Sequence, residues 1–301
     1  MLLRLLTIRR TSNALTQHAR ADSIGHGTER GYPHLAVKLL THDLPSGNPI
    51  LCDRRVVCSA TSIYVDITEK EKKDMQIGIL GTGRMGVRLA AMFADSGHTL
   101  VLGSRDLSRA ERIVSGLRRT NIKAGSYEQA TNAPIVLPAM FIRDGLFDQL
   151  EPLRPALRGK LLIDITNPFN DDYSDFILPW DTSGAEQIQA RLPETRVLGA
   201  FKNVWWEVFD APRFGDTLSD VFVIGDDPGA KQIFFELTQG TPFRYIDAGN
   251  LKNARTIERM TLLSGEMGQR YGFFPRMNYK LLGDQWRPGS ADSIGSLIER
   301  T

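Results

Sequence analysis

An apolar strand that runs straight into a glycine turn and then a helix is the segment that most constrains this chain. Met75 to Asp106 reads MQIGILGTGRMGVRLAAMFADSGHTLVLGSRD, with Gly81-x-Gly83-x-x-Gly86 at the first turn. A lone GxGxxG says little. Here it follows Ile77, Ile79 and Leu80, opens a helix, and precedes a second strand at Leu100–Leu102 with βαβ spacing. That context predicts a dinucleotide-binding turn. Gly81 permits the tight exit from the strand. Gly83 lets backbone approach a pyrophosphate, and Gly86 lets the helix lie close to the sheet. The helix N-terminus then offers unpaired N–H groups and a positive dipole end to phosphate.

The tip of the second strand bears on which nucleotide. An NAD site usually places Asp or Glu there, against the ribose 2′-hydroxyl. This strand ends Gly103-Ser104-Arg105. A hydroxyl beside a guanidinium fork suits a 2′-phosphate, so NADP(H) is expected over NAD(H). Asp106 follows at once and is expected to cap the next helix or to pair with Arg109. Thr82 and Arg84 lie in the glycine loop and are candidates for further phosphate contacts, with a solvated first-turn residue as the plainer reading of Arg84.

Chemistry-bearing residues are unevenly spread. Of 37 Lys+Arg, 11 precede Met75, leaving 26; of 35 Asp+Glu, 8 precede it, leaving 27. His18, His26, His34 and His42 and both cysteines, Cys52 and Cys58, also precede Met75, and only His98 follows. The body therefore offers little histidine acid–base chemistry and no cysteine nucleophile. The C-x5-C spacing makes neither a disulfide framework nor a zinc site. A net charge of +2 gives no nucleic-acid footprint. No apolar run approaches the roughly 20 residues of a spanning helix. Met1 to Ala21 carries four arginines (Arg4, Arg9, Arg10, Arg20) and no acid, which is transit-peptide-like. An over-long reading frame, a presequence or an accessory segment all remain open for residues 1–74. A cytoplasmic location is expected, mitochondrial if that segment is a presequence.

After Met75, strands are expected at Pro134–Pro138, Leu161–Thr166, Arg196–Phe201, Asp220–Ile224 and Phe243–Ile246. Helices are expected at Leu107–Arg119, Tyr127–Asn132, Phe141–Leu157, Gly184–Leu192, Ala230–Gln239 and Leu251–Tyr271. Ser183-Gly184-Ala185-Glu186 fits a capping box, and that helix start is a candidate anion site. Alternation of this kind predicts an α/β fold: a Rossmann-type doubly wound, mostly parallel sheet with helices on both faces and a small C-terminal helical part. The expected organisation is an N-terminal extension over 1–74 and an NADP-binding domain over 75–215. Residues 216–301 would complete the sheet and the acceptor cleft.

The stretches ILGTGRMG, LGSRD, DITNPFN, SGAEQIQARLPETRVLGAFKNV, VFVIGDD and YIDAGNLKNARTIE resemble the NADP oxidoreductase, coenzyme F420-dependent family, which also includes the reductase domain of eukaryotic ferric reductases. The resemblance implies NADPH on the Rossmann domain and a flat hydride acceptor at the C-terminal ends of the strands. It implies that Thr82, Gly83, Arg84 and Met85 form the pyrophosphate loop and that Ser104 and Arg105 form the 2′-phosphate clamp. It implies that Leu137, Pro138 and Ala139 pass beside the riboses and that Thr166, Asn167 and Pro168 meet the nicotinamide end. Ala200 to Val204 would line the acceptor side. The chain departs from the family's usual Lys-Ala-Phe-Asn-Thr by having Gly199 and Lys202 where Lys and Asn are usual.

Lys202 and Asn203 are thus candidate catalytic residues. Lys202 in a cleft could hold an anionic substrate or donate a proton, with burial lowering its pKa toward that task; a solvated lysine is the plainer reading. Tyr245 or water are the other candidate proton donors. Trp205 and Trp206 are either core or a stacking surface, and Phe273 to Lys280 either closes the acceptor pocket or forms a dimer contact. The expected function is hydride transfer between NADP(H) and a planar acceptor such as coenzyme F420, in a homodimer. The alternatives are an imine or carbonyl reductase of a specialised pathway and a non-catalytic NADP(H) sensor.

Overall fold

The alternation after Met75 resolves into an eight-stranded sheet in which six neighbouring strands run parallel. The computed structural model describes residues 35–42, 62–69 and 74–283. These fall in two compact units, Met1–Lys72 and Lys73–Thr301. In the first, β1 (Leu35–His42) and β2 (Ser62–Glu69) form an antiparallel pair with Leu35 opposite Glu69. The basic segment before Ala21 and both cysteines lie outside the described residues.

In the second unit the parallel strands are β3 (Gln76–Leu80), β4 (Thr99–Gly103), β5 (Ile122–Gly125), β6 (Ile135–Pro138), β7 (Leu161–Asp164) and β8 (Arg196–Gly199). Their spatial order is β5-β4-β3-β6-β7-β8, the Rossmann order, with the direction of winding reversing between β3 and β6. β11 (Asp220–Gly225) adds antiparallel to β8, and β12 (Arg244–Asp247) adds parallel to β11. One sheet therefore runs across the expected 215/216 boundary. A two-residue hairpin, β9 (Arg213–Phe214) with β10 (Thr217–Leu218), precedes β11.

Strand residues alternate between two cores. Ile77, Ile79, Leu100, Leu102, Leu137 and Ile163 pack with Leu89 and Phe93 of α1 (Arg84–Asp95) and Phe234 of α7 (Pro228–Leu237). Leu80, Val136, Leu162 and Val197 pack on the other face with Tyr127 of α3 (Tyr127–Ala130), Leu146 of α4 (Leu146–Leu150), Leu157 of α5 (Arg154–Leu157) and Ile188 of α6 (Gly184–Arg191). α2 is Leu107–Leu117, and α8 (Ala254–Arg270) closes the chain order.

Three expectations needed correction. Phe141–Leu157 is not one helix. Gly145 turns left-handed at φ 87° and splits a 3-10 turn (Ile142–Asp144) from α4, and Pro152 lies between α4 and α5, with Pro155 in the first turn of α5. The strand expected to reach Phe201 stops at Gly199, because Phe201 adopts φ 58°. β5 went unread, since Ile-Lys-Ala-Gly is too short to show a period; its pairing with β4 makes it a strand.

Candidate functional site

The turns leaving β3, β4, β6, β7 and β8 all emerge at the C-terminal edge of the parallel strands, and they carry the residues expected to bind. Gly81 has φ 124°, and a Cβ there would lie 2.6 Å from the carbonyl oxygen of Ala139. A Cβ on Gly86 would lie 2.2 Å from the Gly81 carbonyl oxygen and 3.1 Å from the Ala139 methyl group. The loops leaving β3 and β6 are thus in van der Waals contact at the switch point, tied by the Ala139 N–H to the Leu80 carbonyl at 2.8 Å. At Gly83 a Cβ would meet nothing within 4 Å. Gly83 is also the N-cap of α1, which has no side-chain cap and no acid in its first turn. Its first N–H groups therefore keep their capacity for an anion, in an open cradle that a side chain would fill. These residues fit a dinucleotide pyrophosphate.

Ser104 is buried, and its Oγ accepts the Asp106 N–H at 3.1 Å, a bond that does not use the hydroxyl proton. Asp106 caps α2 by accepting the Arg109 N–H at 3.1 Å, and it accepts the Ser108 hydroxyl at 2.7 Å. It is occupied as a cap, as expected. The Arg109 side chain does something the sequence reading missed. It crosses to the glycine loop, where Nε donates to Thr82 Oγ1 at 3.1 Å and a terminal nitrogen donates to the Thr82 carbonyl at 3.3 Å. The signal was its place in the first turn of α2, directly after the β4 tip. Arg105 is exposed beside the Tyr127 phenol; burial pushes that phenol up and the guanidinium opposes the shift. The structure thus gathers Ser104, Arg105, Arg109 and Thr82.

Arg84 is exposed, but its guanidinium lies over the Trp206 ring, 4.7 Å from the centroid, and not against its own loop. Trp206 also meets Phe274 at 5.4 Å, and Phe274 meets Trp205 at 4.9 Å. Trp205 is core, with Nε1 donating to Ser264 Oγ at 2.9 Å. Phe169, from the turn after β7, continues the row to Trp205 at 5.9 Å and Tyr173 at 5.3 Å. The run Phe273–Lys280 is thereby brought to the tryptophans after β8. Asp220 anchors it, accepting from Arg244, Lys280 and the Leu281 N–H.

Lys202 is corrected on both counts. It is neither solvated nor in an open cleft. Its side chain is fully buried, with Nζ 2.6 Å from Asp164 Oδ2, 2.8 Å from Glu258 Oε1 and 2.5 Å from the Thr166 carbonyl oxygen. Burial alone would lower its pKa, as expected, but the two carboxylates outweigh burial and hold it above the ordinary value. Burial pushes the Glu258 carboxyl up, against the pull of Lys202. Glu258 also accepts the Gly184 N–H at 3.0 Å and the Ala185 N–H at 3.4 Å, so the start of α6 has an intramolecular anion. That helix start is not open to a ligand. Asn203 is corrected too: its amide nitrogen donates to the Asp220 carbonyl and to Asn278 Oδ1, each at 2.9 Å, and its oxygen accepts the Phe222 N–H. It joins β8, β11 and the C-terminal segment. Tyr245 is turned inward, 2.7 Å from Thr241 Oγ1, and burial raises its pKa. Asn167 differs from these. Its Nδ2 donates to the Lys202 carbonyl at 2.8 Å, while its Oδ1 is buried with no hydrogen-bond partner in the protein.

A Rossmann sheet with an uncapped glycine-helix start, a hydroxyl–guanidinium group after the second strand and a further strand pair defines a nicotinamide-dinucleotide oxidoreductase. Residues 76–168 match the family described as NADP oxidoreductase, coenzyme F420-dependent. The chain is 31% identical over 204 residues to F420-dependent NADP reductase of Methanothermobacter marburgensis, over 63% of this chain and 90% of that protein. It is 30% identical over 213 residues to metalloreductase STEAP3 of Rattus norvegicus, over 70% of this chain but only 41% of that protein. A crystal structure of a putative F420-dependent NADP reductase from Arthrobacter sp. FB24 superposes with a TM-score of 0.60 at 25% identity, covering 69% of this chain and all of that one. The chain belongs to the F420-dependent NADP oxidoreductase family and is an NADP-dependent oxidoreductase. Among the described residues, no helix is long and apolar enough to cross a membrane.

Proposed function

We propose that this protein transfers hydride between NADP(H) and a planar small-molecule acceptor such as coenzyme F420, in the cleft at the C-terminal edge of the parallel strands. The convergence of the turns after β3, β4, β6, β7 and β8 on the β3/β6 switch point carries the reading. When bound, the nicotinamide supplies the reactive C–H.

The chain's own residues hold and orient. Gly81, Thr82, Gly83, Arg84, Met85 and Gly86 would frame the pyrophosphate. Ser104 and Arg105, with Arg109 behind Thr82, would hold the 2′-phosphate by charge-assisted hydrogen bonds. Leu137, Pro138 and Ala139 would pass the riboses, and Thr166, Asn167 and Pro168 would meet the nicotinamide. The row Phe169, Trp205, Trp206 and Phe274 would form an apolar wall that excludes water and offers ring faces to a flat acceptor.

A deazaflavin is favoured over a carbonyl or imine because a deazaflavin ring takes up its own charge. Of the side chains expected to supply a proton, Lys202 is buried in its ion pairs and the Tyr245 hydroxyl is engaged by Thr241. The test follows NADPH absorbance with the whole chain, with and without F420. F420-dependent oxidation that NADH does not support is the expected result. Silence with F420 and turnover of a cyclic imine would reassign the acceptor. A homodimer belongs to the same reading, motivated by Leu263, Met267, Tyr271 and Phe273 exposed along and after α8; light scattering checks it.

A further inference from the structure

We propose that Trp206 is a positioning residue for the cofactor: its ring holds the Arg84 guanidinium at the open start of α1, where the N–H donors that the ring leaves free bind the dinucleotide pyrophosphate.

Arg84 is the first residue of α1, directly after the N-cap Gly83, and its guanidinium lies 4.7 Å from the Trp206 ring centroid. Contact with a ring face uses none of a guanidinium's N–H donors. Among the described residues, four other arginines lie over rings, and each also gives a donor to a backbone carbonyl: Arg143 to Asn170, Arg191 to Gln187, Arg259 to Leu178 and Arg276 to Ala211. The Arg84 side chain donates to no other described residue and pairs with no described carboxylate. Its donors stay unspent beside the backbone N–H groups of a helix start that has neither a side-chain cap nor an acid in its first turn. Both sets favour an anion, and the open space at Gly83 has room for one.

The ring is fixed to the same helix. Arg88, one turn on from Arg84, closes a fork on Asp210 at 2.9 and 2.6 Å, and its other terminal nitrogen donates to the Arg84 carbonyl at 3.3 Å. Asp210 lies just past the 3-10 turn Trp206–Val208. α1 and the segment after β8 are thus fastened at one point by a bidentate pair and meet at a second through Arg84 on Trp206. Trp205 at 5.9 Å and Phe274 at 5.4 Å both meet Trp206 edge to face, which holds its ring plane. An arginine free in water gives up rotamer freedom when it binds a phosphate. One already laid against a fixed ring has given up part of it beforehand, so the phosphate contact is tighter. Trp206 thereby serves the cofactor loop as well as the wall of the acceptor cleft.

This role rests on the reading that the start of α1 takes the pyrophosphate, and the choice of ligands separates the two. Calorimetry on the whole chain would compare NADP+, 2′-phospho-ADP-ribose, which keeps the pyrophosphate but lacks nicotinamide, and 2′-AMP, which has neither. Arg84→Met should weaken the first two by about 10-fold, the order of one charge-assisted contact, and leave 2′-AMP unchanged. Trp206→Met should weaken the same two by about 3-fold with 2′-AMP again unchanged, while Trp206→Phe, which restores a ring, should recover most of the loss. Combined with Arg84→Met, Trp206→Met should cost nothing further, because the ring acts only through the guanidinium. If Trp206→Met does not fold, fluorotryptophan supplied during expression thins the ring's electron density at nearly constant shape. It should weaken NADP+ binding in the wild type and leave Arg84→Met unaffected. If the wild type binds 2′-phospho-ADP-ribose no more tightly than 2′-AMP, the pyrophosphate does not sit at this helix start and both readings fall. If the pyrophosphate does tighten binding, the positioning role alone is overturned by a Trp206→Met that keeps the full gain, loses 2′-AMP in parallel, or loses as much again on top of Arg84→Met.

Discussion

Asp106 and Arg109 illustrate what a residue type in context can and cannot disclose. A carboxylate three positions past the end of β4 could have read out a ribose hydroxyl; its side chain instead caps α2 through the Arg109 N–H, and the Arg109 side chain goes to Thr82. The positive character of the site then rests on Arg105, the exposed guanidinium next to Ser104. Arg105→Ala should weaken NADPH binding by about 10- to 100-fold, the size of losing one charge-assisted contact. NADH binding should change little. Fluorescence titration with each nucleotide measures the ratio, and equal losses for both would place Arg105 elsewhere. Lys202 teaches the converse lesson. Its position in the sequence suggested a reactive amine, but two carboxylates from β7 and α8 stabilise its charge, and only the tertiary pairing shows them.

At the level of the element, the three glycines of the turn from β3 into α1 separate by what each one's missing Cβ would strike. Gly86→Ala forces a methyl group into the Gly81 carbonyl, and Gly81→Ala adds a positive φ to a backbone clash. Both should lower stability by about 1–3 kcal/mol or more. Gly83→Ala meets open space, so its thermal midpoint should stay near wild type while NADPH binding falls by at least about 10-fold, because the methyl group occupies the phosphate cradle. Calorimetric melting alongside nucleotide titration distinguishes the two behaviours. Loss of stability in Gly83→Ala would mean the glycine serves the fold and not the ligand. Long periodic elements such as α1 and α8 were legible because one face is apolar at helical spacing. The stretch Phe141–Leu157 kept that spacing but was cut at Gly145 and again around Pro152, and backbone constraints overrode the pattern.

The second unit is held by an eight-stranded sheet with helices on both faces, and by a C-terminal segment clamped onto Asp220 at the start of β11. Phe234 lies wholly buried among Phe201, Phe235 and Tyr245, so Phe234→Ala should cost about 3–5 kcal/mol in denaturant unfolding. Burial alone would raise the Asp220 carboxyl, but Arg244, Lys280 and the Leu281 N–H outweigh it and hold the pKa below the ordinary 3.8. A depressed acid adds stability above its unfolded pKa and loses it as pH falls through the folded value. The C-terminal segment should therefore loosen only below about pH 4 in the wild type, and already at neutral pH in Asp220→Asn. Trypsin cleavage at Arg276 or Lys280 reports that loosening, and equal protection in the variant would show the clamp is dispensable. The sequence by itself determined the βαβ start, the alternation and the glycine turn into α1, because strand period, helix period and glycine sterics are local properties. Only the tertiary structure decided that β11 runs antiparallel beside β8, that Lys202 and Asn203 face inward, and that Arg109 reaches Thr82. Each of those depends on partners that lie 17 to 75 residues away along the chain, and no local pattern of charge or hydropathy records which of them will meet.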